Sequence, residues 1–501
     1  MSDASIGTIR TNVPARLDRL PWSRWHWMII IGLGTVWILD GLEVTIVGNL
    51  SGAIAKPGSG LEISQGQITG LAAALYVAGA CTGALFFGWL TDRLGRKKLF
   101  LITLAVYLAA TALTALAFDS WWFFLFRFLT GLGIGGEYAA INSAIDELIP
   151  ARHRGRIDII INGTFWAGAA LGALLTVPLL NGLPVNVGWR VAFGLGVLLG
   201  LVILLVRRHV PESPRWLFIH GRSEEAERLV EGVEQEVHRE TGKRLDEVEQ
   251  SITIRQRHSV GFVTIAHTLF ARYPRRAILG FALFIGQAFL YNAITFGYAQ
   301  VLETFFKVPS GNTGYYFAVI AVGNLLGPVL LGKLFDTVGR RIMIAGTYLL
   351  SGVLLLGTAL LFNAGVLTGT TMTACWCVVL FFASCGASAA YLTVSEIFPM
   401  ETRAMAIAFF YAIGTAAGGI AGPLIFSKLV STGRVGDTVL AFVLGGLVMI
   451  AGGLVAAFLG VRAERRSLED IARPLSAQDD GDVPRQRGSG PADLPTGAAP
   501  A

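Results

Sequence analysis

Charged residues are scarce in this chain, and their scarcity sets the first limits on its fold class. Only 15% of the 501 residues are Asp, Glu, Lys or Arg, whereas a soluble protein of this length carries roughly 25%. Apolar residues make up 53% and fall in long blocks rather than in amphipathic alternation. A helix needs about 20 such residues to cross a bilayer, and its backbone must be hydrogen-bonded internally there. The composition therefore predicts an all-α membrane protein.

Sequence features of several other protein classes are missing. No Walker sequence is present, which argues against an ATP-driven pump. The four cysteines lie in apolar blocks without disulfide or metal-binding spacing. The first apolar segment is too long for a signal core, so we expect an uncleaved first helix. An enzyme is disfavoured as well, and we expect no cofactor, no metal and no catalytic residue.

The apolar blocks predict twelve transmembrane helices. They fall at about 26–50, 66–90, 98–118, 121–148, 157–182, 189–206, 276–304, 313–334, 341–363, 369–398, 404–430 and 437–462. Basic residues crowd the N-terminus, residues 207–276 and the loops after even-numbered helices. The opposite loops hold little beyond Lys56, Lys307 and Arg434. The positive-inside rule then predicts a multi-pass protein of the plasma (inner) membrane with both termini in the cytoplasm.

The predicted helices divide the chain into five parts. We expect a cytoplasmic N-terminal segment at 1–25, a six-helix half at 26–206, a cytoplasmic central loop at 207–275, a second six-helix half at 276–462 and a cytoplasmic tail at 463–501. Apolar residues at helical spacing predict amphipathic helices in the central loop. The tail is rich in Pro, Gly, Asp, Arg and Ser, a composition typical of disorder.

Two motifs occur once in each half. Gly88-x-x-x-Asp92-x-x-Gly95-Arg96-Lys97 recurs as Gly332-x-x-x-Asp336-x-x-Gly339-Arg340-Arg341, and Glu147-x-x-Pro150-x-x-x-Arg154 recurs as Glu396-x-x-Pro399-x-x-x-Arg403. Both recur at nearly the same offset, each at the end of the corresponding helix. A duplicated six-helix unit explains this, because parallel repeats are a known transporter plan. The predicted fold is therefore twelve transmembrane helices in two six-helix pseudo-repeats.

These motifs resemble those of the major facilitator superfamily. The run GWLTDRLGRKK (88–98) is similar to its signature loop, and the run at 127–156 is similar to the sugar-porter pattern R-x-x-x-G-x-G-x-G followed by E-x-x-P-x-x-x-R-G. PESPRWL (211–217) resembles the signature that follows helix 6 in sugar porters. The resemblance covers about residues 25–465. It implies the major facilitator fold within the sugar porter or metabolite–proton symporter group, with a synaptic vesicle glycoprotein-like branch left open.

Charged residues in the repeated motifs predict a conformational latch. Asp92 ends one helix beside basic residues that can pair with it and with helix C-terminal carbonyls. Such pairs would hold the halves in an outward-open state and break when the inner side opens. Topological anchoring by positive charge alone is the alternative. The predicted latch consists of Gly88, Asp92, Arg93, Gly95, Arg96, Glu147, Arg154, Asp336, Gly339, Arg340, Glu396 and Arg403.

Ionisable residues inside the predicted helices point to proton coupling. Charge at membrane depth is costly, so it indicates function by default. Glu43 in helix 1 and Arg127 in helix 4 lie at similar depths, because the two helices run in opposite directions. Protonation of the acid would free the arginine, which is a workable coupling device. A static ion pair that stabilises the outer half is the alternative.

The family resemblance implies the same roles. In proton-coupled sugar porters an Asp in helix 1 and an Arg in helix 4 hold these places, and Glu43 takes the Asp position. The pattern Asp40-Gly-Leu-Glu43 resembles D-G-x-D of aromatic-acid proton symporters and D-G-x-E of synaptic vesicle glycoprotein-like porters. Glu137 stands in G-G-E, as in several metabolite–proton symporters. Glu43, Asp40, Arg127 and Glu137 are therefore the predicted proton-coupling residues.

Polar residues within the later helices predict a substrate pocket between the halves near the midplane. For any one of them, a hydrogen bond that bridges two helices is an equal alternative. Compared with sugar porters, Gln287 and Asn292 fall on sugar-contacting positions, whereas Tyr391 replaces the stacking tryptophan. A standard hexose is therefore not expected. The predicted substrate-binding residues are Asn162, Trp166, Gln287, Tyr291, Asn292, Asn324 and Tyr391.

The leading functional hypothesis is a proton-coupled symporter for a small polar organic metabolite, such as an organic acid, a polyol or a sugar-like compound. An exporter of drugs or organic cations is an alternative, because the intramembrane acids could attract a cation. A non-transporting membrane sensor is a further alternative, although the central loop and tail look too short and polar for a folded soluble domain. The expected partners are a small-molecule substrate, protons and the lipid bilayer, with no nucleic acid and with the chain as a monomer.

Overall fold

Helices make up nearly all of the computed structural model. It describes residues 8–207, 212, 214–219, 221–242, 245, 252–255, 268–398 and 403–461. Two short strands, β1 (Thr8–Thr11) and β2 (Ile252–Arg255), form an antiparallel pair. The tail at 463–501, which we expect to be disordered, lies outside the described residues.

Fifteen α-helices are found in the described residues. They are α1 (Val13–Asp18), α2 (Arg24–Ile54), α3 (Ala73–Leu94), α4 (Arg96–Ala115), α5 (Ser120–Leu148), α6 (Ala151–Gly182), α7 (Val185–Arg207), α8 (Pro214–Ile219), α9 (Ser223–Thr241), α10 (Pro274–Phe306), α11 (Thr313–Thr337), α12 (Arg340–Asn363), α13 (Gly369–Ile397), α14 (Arg403–Ser431) and α15 (Val435–Leu459). A π-helical turn at Gln67–Ala72 leads directly into α3. Similar short turns at Thr268–Arg272 and Ser310–Asn312 precede α10 and α11.

Twelve of these helices have at least 20 residues, which is enough to cross a bilayer. Eleven segments of the described chain are also apolar enough by composition. The twelfth long helix is α5, which carries Arg127 and Glu137. The predicted fold class, an all-α protein with twelve membrane-spanning helices, is therefore confirmed.

Glycines let helices of the first half approach one another closely. An added Cβ at Gly41 of α2 would lie 1.8 Å from the carbonyl oxygen of Phe165 in α6, and Gly168 of α6 lies equally close to α2. Added Cβ atoms at Gly131 and Gly135 of α5 would lie 2.0 Å and 1.9 Å from carbonyl oxygens of α3. No side chain fits at such distances, so glycine sets the spacing of these helices.

The two halves meet along three helix pairs: α2 with α10, α3 with α14, and α6 with α11. The bundle has two faces. The loop face carries the connections 55–66, 116–119, 183–184, 307–312, 364–368 and 432–434. The terminal face carries the N-terminal segment, α8 and α9.

The N-terminal segment packs on α9 at the terminal face. Val13 and Leu17 of α1 are buried in one apolar cluster with Val230 and Val237 of α9. The four α9 positions Ala226, Val230, Val233 and Val237 are buried, while the opposite side of the helix is polar and exposed. This amphipathic pattern explains why α9 lies against other elements rather than in solvent.

Ion pairs and a strand pair reinforce the same contact. Arg16 donates two hydrogen bonds to the carboxylate of Glu234, at 3.0 Å and 2.7 Å, and Arg19 donates one at 2.5 Å. Burial favours the neutral form of Glu234, but the two arginines outweigh it and hold the pKa of Glu234 below its ordinary value. In the strand pair, Thr8 lies opposite Arg255. We call β1, α1, α9 and β2 together the N-terminal clasp.

Candidate functional site

A buried ion pair lies inside the first half. Arg127 Nη1 donates to Glu43 Oε1 at 3.2 Å, and the two side chains are 1% and 0% exposed. Thr111 Oγ1 of α4 donates to the same carboxylate oxygen at 3.0 Å. The rings of Tyr76 in α3 and Phe193 in α7 lie 5.2 Å and 5.6 Å from the guanidinium carbon. Five helices of the first half therefore enclose the pair.

The ion pair is incompletely hydrogen-bonded. Within the described part of the chain, Glu43 Oε2 and Arg127 Nε and Nη2 are buried without a hydrogen-bond partner. Unpartnered polar atoms in an apolar interior are costly, so their presence calls for an explanation. Gly196 of α7 lies next to Glu43 Oε2, since an added Cβ there would be 2.9 Å from that oxygen. The free carboxylate oxygen can accept a proton without displacing an existing hydrogen bond.

Two further acids lie in the same region. Asp40 of α2 and Glu137 of α5 are fully buried, and Thr103 of α4 donates to Glu137 at 3.4 Å. The carboxyl groups of Asp40, Glu43 and Glu137 all lie within electrostatic range of the buried phenols of Tyr76 in α3 and Tyr107 in α4. The structure thus groups the four predicted proton-coupling residues in one buried region, and their role stays a prediction.

Aromatic side chains from opposite halves meet near the middle of the bundle. Trp166 of α6 and Tyr291 of α10 contact each other with ring centroids 5.5 Å apart and planes inclined by 35°. The Tyr291 hydroxyl donates to Asn324 Oδ1 of α11 at 2.9 Å. Ser384 Oγ of α13 donates to the backbone carbonyl of Asn324 at 2.7 Å. We call Trp166 and Tyr291 the ring pair; four helices position it.

Two predicted substrate residues lie beside the ring pair on α10. Gln287 precedes Tyr291 by one helical turn and therefore shares its face. Its Oε1 is buried and has no hydrogen-bond partner in the described residues. Asn292 Nδ2 donates to the backbone carbonyl of Ala288 at 2.8 Å, within its own helix. Of these two amides, Gln287 is the one with an acceptor left open.

Asn162 and Tyr391 complete the predicted substrate set. Asn162 is partly buried on α6, one turn before Trp166 and on the same face. The backbone of Tyr391 is helical in α13, but its side chain lies outside the described residues. The structure therefore groups Asn162, Trp166, Gln287, Tyr291 and Asn324 around the interface between the halves, on α6, α10 and α11.

The predicted latch is described only in part. Gly95 and Gly339 have φ values of +88° and +116° and directly precede α4 and α12, so the repeated motif makes a similar turn in both halves. Glu212 accepts the backbone N–H of Lys97 at 3.2 Å, at the N-terminus of α4. Gly88 and Arg340 lie within helices α3 and α12. The latch side chains outside the described residues are Asp92, Arg93, Arg96, Glu147, Arg154, Asp336, Glu396 and Arg403.

Hydrogen bonds join the two halves at the loop face. The Tyr298 hydroxyl of α10 donates to Asn49 Oδ1 of α2. Thr69 Oγ1, in the π-helical turn before α3, lies 2.7 Å from Gln300 Oε1 and 2.9 Å from Ser427 Oγ. We call these contacts the loop-face closure. They hold α2 and the start of α3 against α10 and α14, so the halves are in contact at this face.

Sequence reasoning misses several residues that contact these sites. Thr111, Tyr76 and Gln300 stand among apolar neighbours, and Glu212 lies in a loop. The only sequence signal that could have identified them is a polar side chain within a membrane-spanning helix. Such a side chain more often forms a hydrogen bond that bridges two helices. Only the packing of helices distant in sequence identifies their partners.

Comparisons with known proteins agree with this arrangement. The family model described as "Sugar (and other) transporter" matches residues 25–475. The niacin transporter NiaP of Acinetobacter baylyi is 27% identical over 462 residues, covering 91% of this chain and 99% of that protein. Myo-inositol transporter 2 of Schizosaccharomyces pombe is 28% identical over 412 residues, covering 78% of this chain and 72% of that protein.

Solved structures show the same fold. The proton:xylose symporter XylE bound to 6-bromo-6-deoxy-D-glucose superposes with a TM-score of 0.69 at 19% identity, covering 89% of this chain and 98% of that one. The inward-open form of the E. coli xylose transporter gives a TM-score of 0.65 at 18% identity, with coverage of 89% and 98%. Because the relatives are transport proteins, the chain is a transporter rather than an enzyme. The chain belongs to the sugar (and other) transporter family and is a multi-pass membrane transporter with the major facilitator fold.

Proposed function

We propose that this transporter is a proton-coupled symporter for a small polar organic metabolite, such as an organic acid, a polyol or a sugar-like compound, and that it works by alternating access. The observation that carries the proposal is the buried pair of Glu43 and Arg127, with one carboxylate oxygen left unpartnered. An ion pair kept only for stability would be expected to have its polar atoms satisfied.

Protonation of Glu43 changes the energy of the whole first half. While Glu43 is ionised, it neutralises Arg127 and accepts a hydrogen bond from Thr111. A neutral Glu43 leaves a buried guanidinium uncompensated, and breaking a buried pair in this way costs about 3–5 kcal/mol. A change of that size is sufficient to move a two-state equilibrium by more than a hundredfold. Asp40 and Glu137 lie in the same buried region and supply further protonation sites.

The basic residues support the proposed membrane orientation. They crowd the terminal face, and by the positive-inside rule this favours a plasma (inner) membrane protein with that face and both termini in the cytoplasm. The loop-face closure then shuts the outer side of the transporter. In an alternating-access cycle, this state delivers or collects substrate at the cytoplasmic side.

The proposed substrate site lies between the halves, at the ring pair. Trp166 comes from the first half, whereas Tyr291, Gln287 and Asn324 come from the second. A ligand held there contacts both halves, so it can favour one relative position of the halves over the other. The names of the relatives, which include niacin, myo-inositol and xylose, are consistent with a small polar organic molecule.

The test is uptake into proteoliposomes with an imposed pH gradient. Organic acids, polyols and sugars are offered singly, and we expect at least one to accumulate above equilibrium until a protonophore collapses the gradient. Glu43→Gln should abolish gradient-driven accumulation but retain exchange of substrate across the membrane. Glu62→Gln, which changes an exposed glutamate of the loop face, is the matched control. Accumulation that ignores the gradient for every transported compound would refute proton coupling.

A further inference from the structure

We propose that the ring pair is a clamp for a flat aromatic ring, and that the preferred substrates are planar aromatic compounds with a hydrogen-bond donor at the ring edge. Saturated polyols and hexoses are then poor substrates. The inference rests on the proposed function in one respect, because it takes the centre of the half-to-half interface as the substrate site.

The first argument is the geometry of the two rings. Trp166 and Tyr291 belong to opposite halves, and their centroids are 5.5 Å apart at an inclination of 35°. This lies within the range of offset aromatic contacts, which stabilise beyond the burial of area. A flat ring stacked on both needs them about 7 Å apart, so the halves must part slightly to admit it. Its entry then replaces one aromatic contact by two. A saturated ring has no π face and cannot make that exchange.

The second argument is that two amide side chains close to Tyr291, those of Asn324 and Asn292, are already engaged by the protein. Asn324 accepts from Tyr291 through Oδ1 and donates through Nδ2 to the carbonyl of Ile320 at 3.3 Å. Asn292 donates to the carbonyl of Ala288. A hydroxyl-rich ligand buried here would lose its hydration and find few partners, which strongly disfavours binding.

The third argument is the open acceptor of Gln287. Its Oε1 is buried and unpartnered in the described residues, one turn from Tyr291 on the same face of α10. An N–H or O–H group at the edge of a bound ring would satisfy it. The described residues around the ring pair bring neutral amides and hydroxyls, so recognition rests on ring faces and a directed hydrogen bond.

The test compares ligands that differ only in aromaticity. Binding to the purified full-length transporter is measured by calorimetry for benzamide against cyclohexanecarboxamide and for phenol against cyclohexanol, with D-xylose and myo-inositol alongside. Each pair has the same charge and nearly the same size. We expect the aromatic member to bind about tenfold more tightly. Trp166→Leu should remove that preference, and Trp166→Phe should retain most of it.

Trp121→Leu is the matched control, because Trp121 is a tryptophan that is 55% exposed. Equal binding of the two members of each pair, or tighter binding of myo-inositol that survives Trp166→Leu, overturns the inference. If Trp166→Leu does not fold, the inference is still tested by the aromatic preference of the parent protein and by the retention of that preference in Trp166→Phe. An aromatic preference without gradient-driven uptake leaves the clamp standing and refutes proton coupling. Gradient-driven uptake of a polyol without an aromatic preference refutes the clamp and leaves proton coupling standing.

Discussion

The two halves share one architecture but carry different chemistry. The first half encloses the Glu43–Arg127 ion pair among five of its own helices. The second half presents Tyr291, Asn324 and Gln300, which are neutral, towards the first. A neutral hydrogen bond contributes only about 0.5–1.5 kcal/mol net, so contacts of this kind can break and reform in each cycle. The ion pair is thus held among helices of one half, whereas the contacts named above between the halves are made by neutral groups. Glu303 of α10, which lies against Gly52 of α2, adds an acid to that interface.

The largest expected effect concerns the close helix packing that the two halves have in common. An added Cβ at Gly135 would lie 1.9 Å from the Ala80 carbonyl oxygen in the first half, and one at Gly418 would lie 2.2 Å from the Ile285 carbonyl oxygen in the second. We expect Gly135→Val and Gly418→Val each to prevent folding, because backbone atoms cannot move aside. Fluorescence-detected size-exclusion chromatography measures the folded fraction.

Each half offers a control for this pair of substitutions. Gly194 and Gly346 have no atom within 4 Å of an added Cβ. Gly194→Val and Gly346→Val should therefore fold nearly as well as the parent protein. If only one half tolerated valine at its close contact, the two halves would not share the same packing.

The next largest effect should differ between the two halves. Arg127→Leu leaves the Glu43 carboxylate buried and unpaired, and we expect a loss of about 3–5 kcal/mol in the free energy of unfolding. The double variant Glu43→Gln/Arg127→Leu should recover much of that loss, because neither member of the pair is left charged without its partner. In the second half, Asn324→Leu removes neutral hydrogen bonds and should cost about 1–3 kcal/mol. Denaturation in detergent supplies these three values and that of Glu43→Gln alone, and additive losses at Glu43 and Arg127 would contradict the ion pair.

A smaller effect is expected at the loop-face closure. Gln300→Met keeps the volume of the side chain but removes its contact with Thr69, and Tyr298→Phe removes the bond to Asn49. Each loss of about 1 kcal/mol should favour opening of the loop face by roughly fivefold. The reaction rate of a buried Ser51→Cys with a membrane-impermeant maleimide measures opening.

Tyr315→Phe is the control for the closure variants, since Tyr315 is 55% exposed and should leave the labelling rate unchanged. Unchanged labelling in both Gln300→Met and Tyr298→Phe would mean that the closure depends on apolar packing instead. The second half would then contribute less polar chemistry to the interface than the comparison of the halves assumes.

The smallest effect lies in the N-terminal clasp, outside both halves. The pKa of Glu234 is lowered in the folded protein, so its ionised form stabilises the clasp above the ordinary glutamate pKa of about 4.3. That stabilisation is lost as the pH falls through the lower, folded pKa. The protection of residues 8–19 against hydrogen exchange, relative to the intrinsic exchange rate at each pH, should therefore fall in acid, and Glu234→Gln should show the lower protection already at neutral pH. Glu231→Gln, at an exposed position of α9, is the control.

Much of the fold is predictable from local sequence. Apolar blocks reveal all twelve long helices, because a spanning helix must be apolar over most of its length. Their ends are less certain: helix 2, expected at 66–90, begins with a π-helical turn at Gln67–Ala72 and continues to Leu94. The cause is that polar residues at helix ends extend a helix beyond its apolar block.

Contacts in the candidate site can be predicted from the sequence only where the depth of a residue in the membrane identifies its partner. Glu43 and Arg127 are placed at one depth by the directions of their helices, and the structure brings them into contact. Thr111 touches the same carboxylate, yet nothing in α4 marks it, because neighbours between helices are chosen by packing. Gln300 and Thr69 likewise meet only because two halves that are distant in sequence pack together.

The N-terminal clasp can form only late in synthesis, because its two parts are far apart in the sequence. Arg16 is made 218 residues before its partner Glu234. At roughly 5–20 residues per second, the ribosome takes on the order of 10–40 s to cover that distance. Val13 and Leu17 remain uncovered during that interval, since α9 follows all six membrane helices of the first half. Closure of the clasp therefore marks the moment at which the first half has been fully translated.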